Sequence, residues 1–320
     1  MIAKKCNRSI KIILVVSLLI TQAIFIGSCK QGKMPTGRWD VAIHEGKKSY
    51  PSWFEIQQTE DGLQGRFVGR VGSVRPITTL RYQNNLLFFA LPVQWEKHTG
   101  DMEFSAQFDG QEFLGTTYDE KGNALRFEAV RAPELNCAAE PEWGQEISLL
   151  SEEWVVRNPD STNGWRLEDG IFENIPPSTD IITRKSYSDF KLSTEVYLPE
   201  KSNSGIYLRG RYEIQLNNMP PAKTGNKGRM GAVYGFIEPD TLFETPGGYW
   251  YTMEITIIGR CVTVKLNDIQ IIDHQEIPGI TGGALDSREG EPGPIMLQGD
   301  HGPVKFRNMI LIPAEKFSQI

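Results

Sequence analysis

Between Ser202 and Asn217 the chain reads SNSGIYLRGRYEIQLN, and two residue sets alternate along it with period two. Ile206, Leu208, Tyr212, Ile214 and Leu216 fall on one side; Tyr207, Arg209, Arg211, Glu213 and Gln215 fall on the other. Successive side chains of a strand point to opposite faces, so the pattern predicts a single strand with one apolar and one polar face. Same-face residues stand about 7 Å apart. Two guanidinium groups, a carboxylate, an amide and a phenol in such a row suit a ligand rich in hydroxyls or carbonyls. A solvated strand with incidental ion pairs fits the same pattern.

Around this stretch the alternation divides the chain. From Gly37 to Arg131 short alternating runs are separated by turn signals at Asp61-Gly62, Asn84-Asn85, Asp109-Gly110 and Gly122-Asn123, which predicts a β-meander closing into a small barrel or sandwich. Residues 132–144 (APELNCAAEPEWG) carry two prolines and no period, and mark a linker. A second domain spans 145–316, with strands expected at Phe190–Leu198, Ser204–Asn217, Tyr251–Ile258, Cys261–Leu266, Pro294–Gln298 and Val304–Ile312. A Gly- and Pro-rich excursion separates Asn217 from Tyr249, and a loop of that length in a compact domain is usually functional. The expectation is an all-β protein: a jelly-roll sandwich preceded by a smaller β-meander domain.

Residues 1–29 read as a targeting segment. Lys4, Lys5, Arg8 and Lys11 precede the apolar run Ile12–Ile26, and Gly27-Ser28-Cys29 follows. Small residues before a cysteine resemble a bacterial lipobox, with Ile26 in place of the more usual Leu. The expectation is a lipid on Cys29, a tether over 30–36 and a lipid-anchored protein of the bacterial cell envelope, facing the periplasm or the outside. Cys137 and Cys261 would then lie in an oxidising compartment, where a disulfide is open to them. The formal charge of −6, with no basic tract after the N-terminus, argues against nucleic acid as a partner.

Extending the alternation adds candidates. Glu195 and Glu254 sit on the polar sides of their strands, Lys265 follows, and LQGDHG places Gln298, Asp300 and His301 on a glycine-flanked loop. If these strands neighbour Ser204–Asn217, one concave face gathers Glu195, Arg209, Glu213, Gln215, Glu254 and His301. Exposed glutamates are common, and solvation alone would account for Glu195 and Glu254. HExxH, P-loop and GxSxG motifs are absent. The close carboxylate row of a sandwich glucanase is absent too, which counts against ordinary two-carboxylate glycoside hydrolysis.

NSGIYLRGRYEIQ, GAVYG at 231–235, EITIIG followed by VTVKLND, and GPIMLQGDHGPVKFRNM together resemble the 3-keto-disaccharide hydrolase domain family over Ile147–Pro313. The resemblance implies a concanavalin-like jelly roll acting on glycosides oxidised to a ketone at C3, and a functional partnership with a sugar 3-dehydrogenase. The first domain resembles a β-rich companion of that family. A C3 ketone acidifies the C2 proton, whose loss expels the oxygen on C1; water re-adding would complete a hydrolysis. This needs a base, an electrophile at the enolate oxygen and an acid. Arg209 is a candidate electrophile; Glu213, Glu254 or His301 a base; Tyr234 a donor or acid. A divalent metal on Glu195, Glu213, Asp300 or His301 is an alternative electrophile. Glu195, Tyr207, Arg211, Gln215, Tyr234, Lys265 and Gln298 are candidate substrate contacts. Two rival readings are a non-catalytic carbohydrate-binding module, with Trp165, Trp250 and Tyr207 as stacking platforms, and an ordinary hydrolase of unoxidised glycans.

Overall fold

The computed structural model describes residues 34–138, 140–220 and 223–317; the expected leader, with Cys29, lies outside them. Among the described residues the regular structure is strands and two short 3-10 turns, and no helix is long and apolar enough to cross a membrane.

Residues 37–131 form one nine-stranded antiparallel meander. The alternation is plain in Met102–Phe108, where every second residue is buried. The inward sets of successive strands enclose Trp39, Phe54, Phe67, Phe89, Phe104 and Phe113 as a separate aromatic core. The sheet curls far enough to bring Gly62–Val68 near Thr79–Gln83.

Beyond the linker, two sheets pack face to face in a jelly-roll sandwich. Five short strands form one sheet, in the order Trp154–Val156, Ile181–Thr183, Met296–Leu297, Asn203–Leu208, Tyr212–Asn217. The larger sheet is centred on Phe190–Leu198, flanked by Val304–Phe317 and Tyr249–Ile258, with Cys261–Leu266 next outward. Leu192, Val196, Met253 and Ile255 from this sheet meet Ile206, Leu208, Ile214 and Leu216 from the smaller one in the core.

The expected single strand Ser202–Asn217 is a hairpin. Leu208 pairs with Tyr212, and Arg209–Arg211 turn the chain, with φ of +52° at Arg209 and +67° at Gly210 and the Arg211 amide donating to Leu208 O at 3.0 Å. An odd number of turn residues leaves the alternation unbroken. Tyr207 therefore stands opposite Glu213, and Gly205 opposite Gln215, on one face as the pattern required. Arg209 and Arg211 do not share that face, because they belong to the turn.

The two domains are not separate bodies. Trp53 and Val68 of the meander are buried in the sandwich core cluster. The Gly283 amide donates to Arg70 O at 3.0 Å. Cys137 of the linker is disulfide-bonded to Cys261, with 5.4 Å between Cα atoms. At the same interface burial and the nearby Glu289 carboxyl push Asp40 up to about 9, so Asp40 is neutral at pH 7.

Candidate active site

The outer face of the five-stranded sheet is the floor of a cavity of about 670 Å³, within the about 300–1,000 Å³ typical of small-molecule sites. Tyr207 and Glu213 form the first rung of the hairpin floor, Gly205 and Gln215 the second, Asn203 and Asn217 the third. With about 7 Å between rungs the floor is about 14 Å long. The Gly-rich excursion forms a wall. Gln215 N donates to Ala232 O at 2.9 Å and Tyr234 N to Glu213 O at 3.0 Å, so GAVYG runs antiparallel beside the hairpin and brings Tyr234 to the first rung. The loop after Met296–Leu297 supplies Gln298 and His301.

Glu213 is 3% exposed, and this burial pushes its carboxyl up to about 8. The Tyr207 hydroxyl lies 2.9 Å from both Glu213 Oε2 and Gly282 O. It has one hydrogen for two acceptors. When Glu213 is ionised, Tyr207 donates to it; when Glu213 is protonated, it donates to Tyr207, which donates to Gly282 O. The protonated state satisfies the whole chain, whereas the ionised state takes the Tyr207 hydrogen away from Gly282 O. Gly205 makes room for the cluster, since a Cβ there would come within 2.5 Å of Glu213 Oε1. Burial also drives the Tyr207 hydroxyl well above its ordinary value and Tyr234 up to about 12, so both stay neutral.

His301 is half exposed at the cavity rim. Its Nδ1 is 2.5 Å from Asp300 Oδ1, and that hydrogen bond, helped by the Asp300 and Glu213 charges, raises its pKa above the ordinary 6.5. A carboxyl and an imidazole whose pKa values are both raised therefore face one cavity. Two more groups fit a polyol. Gln215 Oε1 and Gln298 Oε1 are buried without a partner among the described residues, leaving two acceptors for sugar hydroxyls.

The structure thus gathers Tyr207, Glu213, Gln215, Tyr234, Gln298 and His301, and separates them from the other candidates. The Arg209 guanidinium is buried beneath the turn on Asp189 (3.2 Å) and Gly259 O. Arg211 is held by Asp286 and Glu291 O, each at 2.7 Å. Neither lines the cavity. Glu195, Glu254 and Lys265 belong to the larger sheet and point away from the core: Glu195 bonds Arg307 and Asn308, and Glu254 pairs with Lys265 at 3.4 Å. The assumption that all polar strand faces meet fails because these strands lie in different sheets. Glu195 thereby leaves the suggested metal-ligand set, of which Glu213, Asp300 and His301 remain near one another. Among the described residues no three His, Cys, Asp or Glu side chains are grouped to hold an ion. Trp165 is in the core and Trp250 lies under Arg307 on the far sheet, so neither faces the cavity. A second cavity, of about 490 Å³, lies between Asp40 and Glu289. Arg211 and Arg260 occupy its Asp286 and Glu289 carboxylates, so it is not the candidate.

Sequence reasoning missed Asn203 and Asn217, which the alternation reaches when carried one rung further. It also missed Val71, Gly72 and Trp95, which come from the first domain. No pattern in the sequence joins those to the hairpin.

A jelly roll presenting unpaired amide acceptors and a proton-holding carboxyl on its outer sheet has the makings of a carbohydrate-active protein. Residues 148–311 match the family described as the 3-keto-alpha-glucoside-1,2-lyase-like domain, and the chain belongs to that family. Its function is accordingly carbohydrate-related, of a glycosidase-like kind. Two solved candidate glycosyl hydrolases from Parabacteroides distasonis are similar to it, at 26% and 21% identity. They cover 54% and 52% of this chain and 82% and 92% of their own, with TM-scores of 0.43 and 0.44. A carbohydrate-binding module from Bacillus subtilis is similar at 16% identity over 49% of this chain and 92% of its own, with a TM-score of 0.33. Comparison with curated proteins finds no match.

Proposed function

We propose that the protein cleaves glycosides already oxidised at C3, by removing the C2 proton and eliminating the group on C1. The observation that carries the reading is the pairing of Glu213, buried and held up to about 8, with His301, whose imidazole is bonded to Asp300 and shifted toward its protonated form, across one cavity. Ionised Glu213 takes the C2 proton. The electrons move to the C3 oxygen, where the His301 imidazolium, in place of Arg209, hydrogen-bonds the enolate. As the C3 carbonyl re-forms, a C1–C2 double bond appears and the C1–oxygen bond breaks. The departing oxygen takes a proton from the Tyr234 hydroxyl, which regains one from solvent. The product is an unsaturated 2-hydroxy-3-keto sugar, and addition of water would turn the outcome into hydrolysis. A partner supplying the substrate would be a sugar 3-dehydrogenase.

Deuterium at C2 of a 3-keto α-glucoside tests this. Elimination should release the label as the aglycone appears, slow cleavage through a primary isotope effect and produce an absorbing enone. Direct displacement at C1 leaves C2 untouched. Cleavage at an unchanged rate with the label retained would overturn the mechanism, and equal cleavage of the unoxidised glucoside would overturn the substrate.

A further inference from the structure

The catalytic floor is polar, yet the cavity continues into a mouth of different character. Val71 and Trp95 come from the meander domain, and Met219 and Pro220 from the start of the excursion. Trp95 is 53% exposed, unlike the aromatic core of its own domain. Its loop is nevertheless fixed. Glu96 accepts the amides of Gln94 and Trp95, and is itself held by Arg75 at 2.7 and 3.0 Å, with both charged side chains nearly buried. The Gln94 side chain clasps Ser73 by two 2.9 Å bonds. From the sandwich side, the Lys223 ammonium sits 3.6 Å from the Trp95 ring centroid and donates to Gln94 O at 2.6 Å. An aromatic side chain left half exposed at a cavity mouth, on a loop tied down at both ends, is arranged to meet a ligand rather than to fill a core.

Resting on the reaction proposed above, we infer that the meander domain builds the leaving-group subsite, with Trp95 as its specificity-determining residue, and that the aglycone it takes is a planar aryl group. The unpaired oxygens of Gln215 and Gln298 claim the hydroxyl-bearing ring over Glu213 and His301. What leaves C1 then extends past Tyr234 to the mouth, where Val71, Trp95, Met219 and Pro220 present apolar surface and Lys223 and Thr224 are the polar side chains at its edge. A planar aryl ring covers that apolar surface while leaving no hydroxyls of its own to pair.

The test uses the full chain, as parent, Trp95→Ala and Trp95→Phe, with phenyl and methyl α-glucosides, each native and oxidised at C3. Comparing each variant with the parent cancels the better intrinsic leaving ability of phenol. With the oxidised pair, Trp95→Ala should lower the phenyl-to-methyl ratio of kcat/KM about tenfold, mainly through KM, and Trp95→Phe should restore most of it. Calorimetry with the native pair reads binding without turnover, and phenyl glucoside should bind the parent more tightly than methyl glucoside, but not Trp95→Ala. An unchanged ratio would overturn the subsite while leaving the reaction standing, as would equal losses on both substrates. Trp95-dependent phenyl binding by a protein that cleaves neither oxidised glucoside would sustain the subsite and overturn the reaction. Should Trp95→Ala fail to fold, Trp95→Phe and the parent's phenyl-over-methyl binding preference decide the matter.

Discussion

Glu213→Gln should cut kcat on a 3-keto α-glucoside by about 10²–10⁴, the usual cost of losing a general base. Gln keeps the shape and can still bond Tyr207, so the sandwich should fold and the substrate should still bind. The pH profile supplies a sharper reading. A base held up to about 8 is mostly protonated at pH 7, so parental kcat/KM should climb as pH rises from 7 toward about 8, and Glu213→Gln should lose that limb. Stability runs the other way. Between the ordinary carboxyl value of 4.5 and about 8 the unfolded chain has lost a proton that the folded chain keeps. Parental stability therefore falls with rising pH across that window. Gln does not titrate, so denaturant unfolding of the variant should lack that part of the slope. Near-parental turnover in a folded Glu213→Gln protein would remove Glu213 from the chemistry.

Trp53→Ala should destabilise the protein by about 3–5 kcal/mol, as truncation of a fully buried indole does. Trp53 is a meander residue with no exposed surface, yet its neighbours belong largely to the sandwich. Its ring meets Phe236 edge-on at 5.7 Å, and it packs so closely on Gly279 that a Cβ there would lie 2.3 Å from Nε1. Phe236 is two residues from Tyr234, so loosening Trp53 should also loosen the cavity wall. A shifted urea midpoint accompanied by a raised KM is the expected pair of results. A loss below about 1 kcal/mol, within what a surface position gives, would show that the domains do not depend on this contact. By the same reasoning a chain starting at Gln145 should fold poorly and bind poorly, because it lacks Trp53, Val68 and the Trp95 wall.

How much of this was legible in the sequence depended on how far each cue reached. Alternation is local, and it reported the faces of individual strands correctly: Tyr207, Glu213 and Gln215 share a face as their spacing required. The turn at Arg209–Arg211 escaped because three turn residues do not change parity, and the Gly210 signal was outweighed by the unbroken rhythm. Sheet membership is not local. Glu195 and Glu254 alternate as regularly as Glu213, but hydrogen-bond partners more than 40 residues away put them in the other sheet. His301 was legible because its flanking glycines mark a loop. Trp95 was not, since its relation to the hairpin exists only once two domains have docked.

The single hydrogen that Tyr207 holds between Glu213 and Gly282 gives the site a short memory. A proton arriving on Glu213 merely shifts the chain of hydrogen bonds by one place, leaving no acceptor bare. Both side chains are at most 3% exposed, so solvent has little access while the cavity is occupied. A hydrogen taken from C2 therefore stays beside the sugar that surrendered it. Before the C1–oxygen bond breaks, deuterium borrowed from one substrate molecule can be handed back to the same molecule, and the share handed back measures residence time in the occupied cavity against exchange with water.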